Sequence, residues 1–341
     1  MKLAILADDL TGALDAAAPF AGRGMDVEVA LHPGAVGGAM ATGAQVVAVS
    51  TRSREMDPAS GRAAVAATVA ALPGGVRVFK KIDSRLKGNI AAELSALSFA
   101  RALVVPAIID FGRRVEGGAV TGFGVPVPLP IASVLGEFAE RSLIPDVASE
   151  SDVRAVLAQG ADVDLLVGAR GLAEALARDE TGREAAECPM LAGPRGVLVI
   201  GSRDPITAAQ VTALRESVPL TYLPAPNGVV GVASEEHTDL VVVQALPGAP
   251  AAAPEEVASH LALSLHPALT SRCDTLFLTG GATAEAVLTA MGIERVHLLG
   301  ECLPGLPVAV AGRLTVVAKS GGFGEVDTLV RVARMIEEAG R

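Results

Sequence analysis

Tryptophan is absent from the chain, tyrosine occurs once, and aromatic residues make up only 3% of the 341 positions. A core therefore has to be assembled from Ala, Val, Leu and Ile, the palette of layered α/β proteins. Positive charge is also scarce. Twenty-eight Lys and Arg face 38 Asp and Glu, a formal net charge of −10, and that sign opposes attraction to nucleic acid or to an anionic membrane. Cysteine is limited to Cys188, Cys273 and Cys302. Without a C-x-x-C pair these thiols make neither a disulfide framework nor a zinc knuckle, and they fit a reducing cytoplasm. No apolar run approaches the ~18 residues of a membrane span, and the opening MKLAILADDLTG meets two aspartates too soon for the core of a signal peptide. His32, His237, His260, His266 and His297 lack metal-ligand spacing and read as structural or exposed.

What is present is one pattern repeated. A length of 341 residues suits two domains at about 150 each, and short β-branched runs alternate with Ala- and Leu-rich stretches. This predicts α/β domains with mainly parallel sheets. In the first half, strands are expected near 2–7, 25–31, 45–50, 76–81 and 101–106, with helices near 10–22, 57–72 and 89–100. The Gly- and Pro-rich segment 107–135 reads as an ordered loop or small hairpin beside a site. A helix near 150–159, a strand at 163–168 and a helix at 170–178 follow. Residues 179–195, DETGREAAECPMLAGPR, have the charge, Gly and Pro of a linker, which sets the domains at 1–190 and 191–341. The second domain repeats the pattern, with strands near 196–201, 219–223, 239–244, 274–279, 295–299 and 313–319 and helices near 204–217, 253–265, 283–291 and 325–339.

Open parallel sheets bind ligands at the carboxyl ends of their strands, and the polar clusters of this chain fall there. Asp8 and Asp9 end the first strand, and Thr11-Gly12 lead into a helix. Helix capping by Asp9 or Thr11 is the bland reading, but it does not explain two adjacent acids. Lys80, Lys81, Asp83, Ser84, Arg85, Lys87 and Asn89 crowd behind another strand, and Thr51-Arg52-Ser53-Arg54 behind a third. Such cations suit a carboxylate or a phosphate, and together the clusters describe a pocket for a small anion. The second half offers three Gly-containing strand ends, GSRDP at 201–205, GGAT at 280–283 and KSGGFG at 319–324. Each can bring backbone N–H groups to phosphates. Neither a Walker A motif nor G-x-G-x-x-G occurs.

Taken in order, ADDLTGALD, KKIDSRLKGN, PAIIDFGR, VGARGLAEALA, GSRDPITAAQ, GGATAEAVL and KSGGFG resemble the motifs of the four-carbon acid sugar kinase family. The resemblance covers nearly the whole chain. It implies an N-terminal domain for a four-carbon acid such as threonate, erythronate or an oxo derivative, and a C-terminal domain for ATP. The reaction it implies is phosphorylation of the terminal hydroxyl in a cleft between the domains, in carbohydrate catabolism. Carried over position by position, ATP would contact Ser202, Gly280, Gly281, Ala282, Thr283 and Gly321, and the acid would contact Asp8, Asp9, Arg54, Lys81, Asp83 and Arg113, with Lys81, Arg85 and Arg54 clamping its carboxylate. Ala282 and Asp204 depart from the family pattern, which has an acid and a Ser at these places. Mg²⁺ would offset charge between the phosphates, with no metal ligand named, and Asp9 is favoured over Asp83 as general base. The expected partner is the small acid, with neither nucleic acid nor membrane, and a homo-oligomer is left open. The alternative is a non-catalytic sensor of a sugar acid or nucleotide.

Overall fold

The computed structural model describes residues 1–160, 162–231 and 238–340. Two compact units divide the chain, Met1–Glu187 and Cys188–Arg341, and both are α/β.

In the first unit the strands are β1 (Leu3–Ala7), β2 (Val27–Ala30), β3 (Val46–Ser50), β4 (Arg77–Lys81), β5 (Ala102–Val105), β6 (Arg113–Glu116), β7 (Ala119–Gly122), β8 (Leu129–Pro130), β9 (Ser142–Leu143) and β10 (Leu165–Gly168). Seven form a parallel sheet in the order β2-β3-β1-β4-β10-β5-β9. Every residue of β1, β2, β3, β5 and β10 is buried, which is why runs such as LAILA and ALVV carry no polar alternation. Asp9 caps helix Leu10–Ala21, which packs against helix Arg170–Thr181. The expected hairpin exists as the antiparallel set β6-β7-β8. The helix expected over 89–100 is shorter, Ile90–Leu94, and a short helix Val36–Met40 was not anticipated.

The register decides where chemistry can gather. Ala7 lies opposite Ser50 on one side and Lys81 on the other, Lys81 opposite Gly168, and Gly168 opposite Val105. The last residues of β1, β3, β4, β5 and β10 are therefore level, and the polar segments that follow them leave one edge together.

In the second unit the strands are β11 (Gly196–Ile200), β12 (Thr221–Pro226), β13 (Leu240–Leu246), β14 (Thr275–Thr279), β15 (Arg295–Leu303), β16 (Leu306–Ala311) and β17 (Leu314–Lys319), in the order β12-β13-β11-β14-β17-β16-β15. The pairs from β12 to β17 are parallel, whereas β15-β16 and β16-β17 are antiparallel. Strand β16 was not expected from the sequence. Ile200 lies opposite Thr279, and Thr279 opposite Lys319, so GSRDP, GGAT and KSGGFG also start at one level. Leu198, Ile200, Phe277, Val317, Leu329 and Ile336 lie in the core of this unit, all fully buried. No helix among the described residues is long and apolar enough to cross a membrane.

Candidate active site

At the edge of the first sheet, one guanidinium resolves the problem of the adjacent acids. Arg54 Nε and Nη2 each donate to Asp8 at 2.8 Å, while Nη1 and Nη2 donate to Asp9 at 2.7 and 3.0 Å. Four of the five N–H donors of Arg54 are thus engaged by carboxylates, and Asp83 lies 3.9 Å away. Burial alone would raise the pKa of Asp8. The charge and hydrogen bonds of Arg54, with the fields of Lys80 and Lys81, outweigh that and hold it below the usual carboxylate value. Desolvation likewise opposes the charge on Arg54, but Asp9 and Asp8 raise its pKa above the ordinary arginine value. The sequence reading gave Arg54 to a substrate carboxylate; its main contacts here are internal, with one N–H left over.

Asp9 does cap its helix, accepting from Gly12 N and Thr11 Oγ1 at 2.8 Å each. With two bonds from Arg54, all four acceptor directions of its carboxylate are filled. Asp83 is less occupied. Its Oδ1 accepts from the backbone of Arg85 at 2.8 Å and of Lys87 at 3.4 Å, while among the described residues Oδ2 has only Arg54, at 3.9 Å.

The adjacent lysines of β4 divide, as neighbours on a strand must. Lys80 is fully buried, paired with Glu93 at 2.7 Å, and bonded to the carbonyls of Leu6 and Lys81. It is structural, a correction to its inclusion in the anion cluster. Removing one partner of such a pair strands a buried charge. Lys80→Met is therefore expected to lower stability by ~3–5 kcal/mol, measured by urea unfolding, with Lys80→Met/Glu93→Leu recovering most of the loss. Lys81 is also buried, but its ammonium donates only to Ile82 O at 2.9 Å and has no carboxylate within 4 Å among the described residues. A Cβ on Gly12 would sit 3.0 Å from Lys81 Nζ, which places this lysine beside the capped helix start.

Arg113 is a second buried cation of this unit without a carboxylate within 4 Å among the described residues. It is 6% exposed and donates to Ser84 Oγ at 2.6 Å and Phe123 O at 3.1 Å. Burial first, then the charge of Arg85, lowers its pKa. Arg85 itself is exposed. Asn89 ties its loop to the Ser53 and Met56 carbonyls, and Lys87 is exposed, so neither belongs to the cluster around Asp8. Both loops carry strain that a plain turn would avoid: Arg52 and Leu86 have φ of 57° and 59°. Gly88 is at φ 90°, and a Cβ there would lie 2.9 Å from Asp8 Oδ2.

Two residues around this edge escaped sequence reasoning. Asp15, one turn further along the capped helix, is buried with Oδ1 unbonded. Desolvation raises its pKa against the fields of Arg170 and Lys81. Arg170, the first residue of its helix, lies 3.7 Å from Asp15 and bonds Asp110. The signal was the polar position in each of the motifs ALD and GARG.

In the second unit the glycines have packing reasons. A Cβ on Gly201 would lie within van der Waals radii of Thr283 Oγ1 and 2.8 Å from its Cβ; one on Gly321 would run into Ser202 Oγ. Gly280 adopts φ 89° and starts helix Gly281–Ala290 without a side-chain cap, leaving N–H donors at the helix start for an anion. A cavity of about 290 Å³ adjoins it, lined by Arg203, Gly280 and Ala282 together with Val257 and Ala258. Ser202 accepts from Asp204 N at 3.2 Å, and Asp204 caps helix Pro205–Ser217 through Ile206 N. A lining that mixes a guanidinium, apolar side chains and glycine backbone fits a nucleotide. Burial pushes the thiols of Cys273 and Cys302 up to about 11 and 12, so neither is a nucleophile. No group of three metal-capable side chains occurs among the described residues, and His237 lies outside them.

Residues 3–133 match the model of a sugar-binding N-terminal domain, and residues 197–329 that of a nucleotide-binding C-terminal domain. Over 98% of both chains the sequence is 30% identical to D-threonate kinase of Bordetella bronchiseptica. It is also 30% identical to D-threonate kinase of Cupriavidus necator over 95% of both. The chain belongs to the four-carbon acid sugar kinase family. As a family member it is a sugar-acid phosphotransferase with a nucleotide-binding domain. A solved structure from Salmonella typhimurium shares its fold at a TM-score of 0.74 and 19% identity, covering 98% of this chain and 99% of that one. A Haemophilus influenzae protein of family DUF1537 does so at 0.67 and 17%, covering 99% of each.

Proposed function

We propose that this kinase transfers the terminal phosphoryl group of ATP to the terminal hydroxyl of a four-carbon sugar acid: threonate, erythronate or an oxo derivative. Residues 1–190 hold the acid and 191–341 the nucleotide. The observation that carries the reading is the pair of buried cations, Lys81 and Arg113, in the sugar-binding domain, neither of which has a carboxylate of its own among the described residues. A buried charge needs a partner, and a substrate carboxylate supplies one.

In this mechanism Lys81 and Arg113 hold the carboxylate, with Arg85 at the exposed side. Arg54 keeps Asp8 ionised and holds Asp8 and Asp9 in place, so that Asp8 and the remaining Arg54 N–H orient substrate hydroxyls. Phosphoryl transfer asks for an in-line hydroxyl and charge neutralisation more than for covalent chemistry. Asp83, with one oxygen nearly unoccupied, receives the hydroxyl proton; the hydrogen-bond pattern reverses the preference for Asp9. Ser202, Gly280–Thr283 and Gly321 bind ATP, its phosphates against the uncapped helix start. Mg²⁺, which needs only one or two protein ligands when phosphates and water supply the rest, would neutralise charge on the transferring group. Three free thiols fit a cytoplasmic setting.

ADP release from ATP with D- and L-threonate, D- and L-erythronate and their oxo derivatives tests the reading. Acid-dependent release with at least one is expected. Release only with acids of another chain length would overturn it. Arg113→Met and Lys81→Met are expected to raise the KM for the acid by about 10- to 150-fold, the worth of a charged hydrogen bond of ~1.5–3 kcal/mol, and to leave the KM for ATP nearly unchanged. An unchanged KM for the acid in both variants would remove these cations from the site.

A further inference from the structure

Beneath the KSGGFG loop lies a lysine that no part of the proposed chemistry uses. Lys319, the last residue of β17, is 0% exposed. Its ammonium donates to Thr207 Oγ1 at 3.0 Å, Ser320 O at 3.1 Å and Gly321 O at 3.0 Å, and it has no carboxylate within 4 Å among the described residues. Thr207, buried in the following helix Pro205–Ser217, donates to the same Gly321 carbonyl at 2.6 Å. Gln210, one turn on and fully buried, donates to Phe323 O at 3.0 Å and Glu325 O at 2.8 Å. Three buried side chains thus grip four carbonyls of residues 320–325, and the N–H groups of Gly321, Gly322 and Gly324 have no backbone acceptor among the described residues.

We propose that Lys319 is the positioning residue of the nucleotide site: it holds the loop carbonyls inward, leaves the glycine N–H groups for phosphate, and supplies the positive charge that offsets Asp204 there. The inference rests on the nucleotide reading of the second domain. The geometry explains why a motif conspicuous for its glycines begins with a lysine that cannot reach solvent.

Burial holds the ammonium's pKa down to about 8, against the field of Asp204, the one titratable group among the described residues that favours its charge. The other groups that contact it, Thr207 and the Ser320 and Gly321 carbonyls, are neutral. A bound phosphate favours the protonated lysine, so nucleotide binding above pH 8 draws a proton onto the protein, and affinity falls as pH rises through that value.

Titration calorimetry of the full chain with ADP at pH 8.5, in two buffers of different ionisation enthalpy, measures both quantities. Uptake of about half a proton or more is expected on linkage grounds. Lys319→Met should abolish the uptake and weaken ADP at least 10-fold, while threonate affinity stays within twofold. Thr207→Val, which keeps the charge and removes one tether, should weaken ADP by about 3- to 10-fold with uptake retained. Unchanged ADP affinity in both variants, or equal uptake in wild type and Lys319→Met, overturns the role of Lys319 alone. Absence of ADP binding by the wild-type chain overturns it together with the nucleotide reading.

Discussion

Asp83→Asn is expected to lower kcat by about 10²–10⁴ with both ligands still bound, the usual worth of a positioned general base. The substitution keeps the shape of the side chain, and Asn Oδ1 can go on accepting from the backbone of Arg85 and Lys87. What disappears is proton affinity at the oxygen that, among the described residues, Arg54 alone approaches, at 3.9 Å. Asp9→Asn predicts a different pattern. Its amide would set N–H donors against those of Arg54, Thr11 or Gly12, so the Asp8–Arg54 arrangement loosens, stability falls and the KM for the acid rises. Single-turnover kinetics separate the two. A collapse of the chemical step in Asp9→Asn with normal turnover in Asp83→Asn would return the role to Asp9. A modest loss in both would mean that positioning and charge carry the reaction without a dedicated base.

The convergence of these residues was legible before any coordinates, because it follows from topology. Apolar runs ending in Ala7, Ser50 and Lys81 are parallel strands, and level parallel strands put Asp8, Thr51 and Asp83 at one edge. The occupancy of each group was not legible. Topology puts Asp9 and Arg54 at one edge; it cannot say that they pair, or that Arg54, Thr11 and Gly12 together fill every acceptor of Asp9. The difference between Lys80 and Lys81 was available from strand alternation alone, and it was overlooked because charge density was read without regard to face. Strand β16 was missed for a related reason: it is a return strand after a turn at Gly305, φ 74°, inside a pattern read as mainly parallel. The role suggested for Lys319 was hidden by its own motif, since glycines advertise backbone approach whereas a lysine at a strand end reads as a surface charge.

The close approaches in the second domain make the other large effect. Gly201→Ala adds a single methyl, yet its Cβ meets the side chain of Thr283, whose own Cβ would be 2.8 Å away. A rotamer change moves Oγ1 but not Cβ, so relief requires shifting the start of helix Gly281–Ala290, where the donors proposed for phosphate lie. Overpacking of this kind costs ~1–3 kcal/mol. Stability should fall by that amount in urea unfolding, and ADP affinity by about 10- to 100-fold as the helix start is displaced. The double variant Gly201→Ala/Thr283→Gly removes every Thr283 atom that the methyl meets, and it should restore more than half of the lost ADP binding free energy despite the missing hydroxyl. If the single variant binds ADP normally, the strand end at Gly201 is not part of the phosphate cradle. If the double variant binds as poorly as the single one, the Thr283 hydroxyl itself contacts the nucleotide, and the glycine's function is to let that hydroxyl sit where it does.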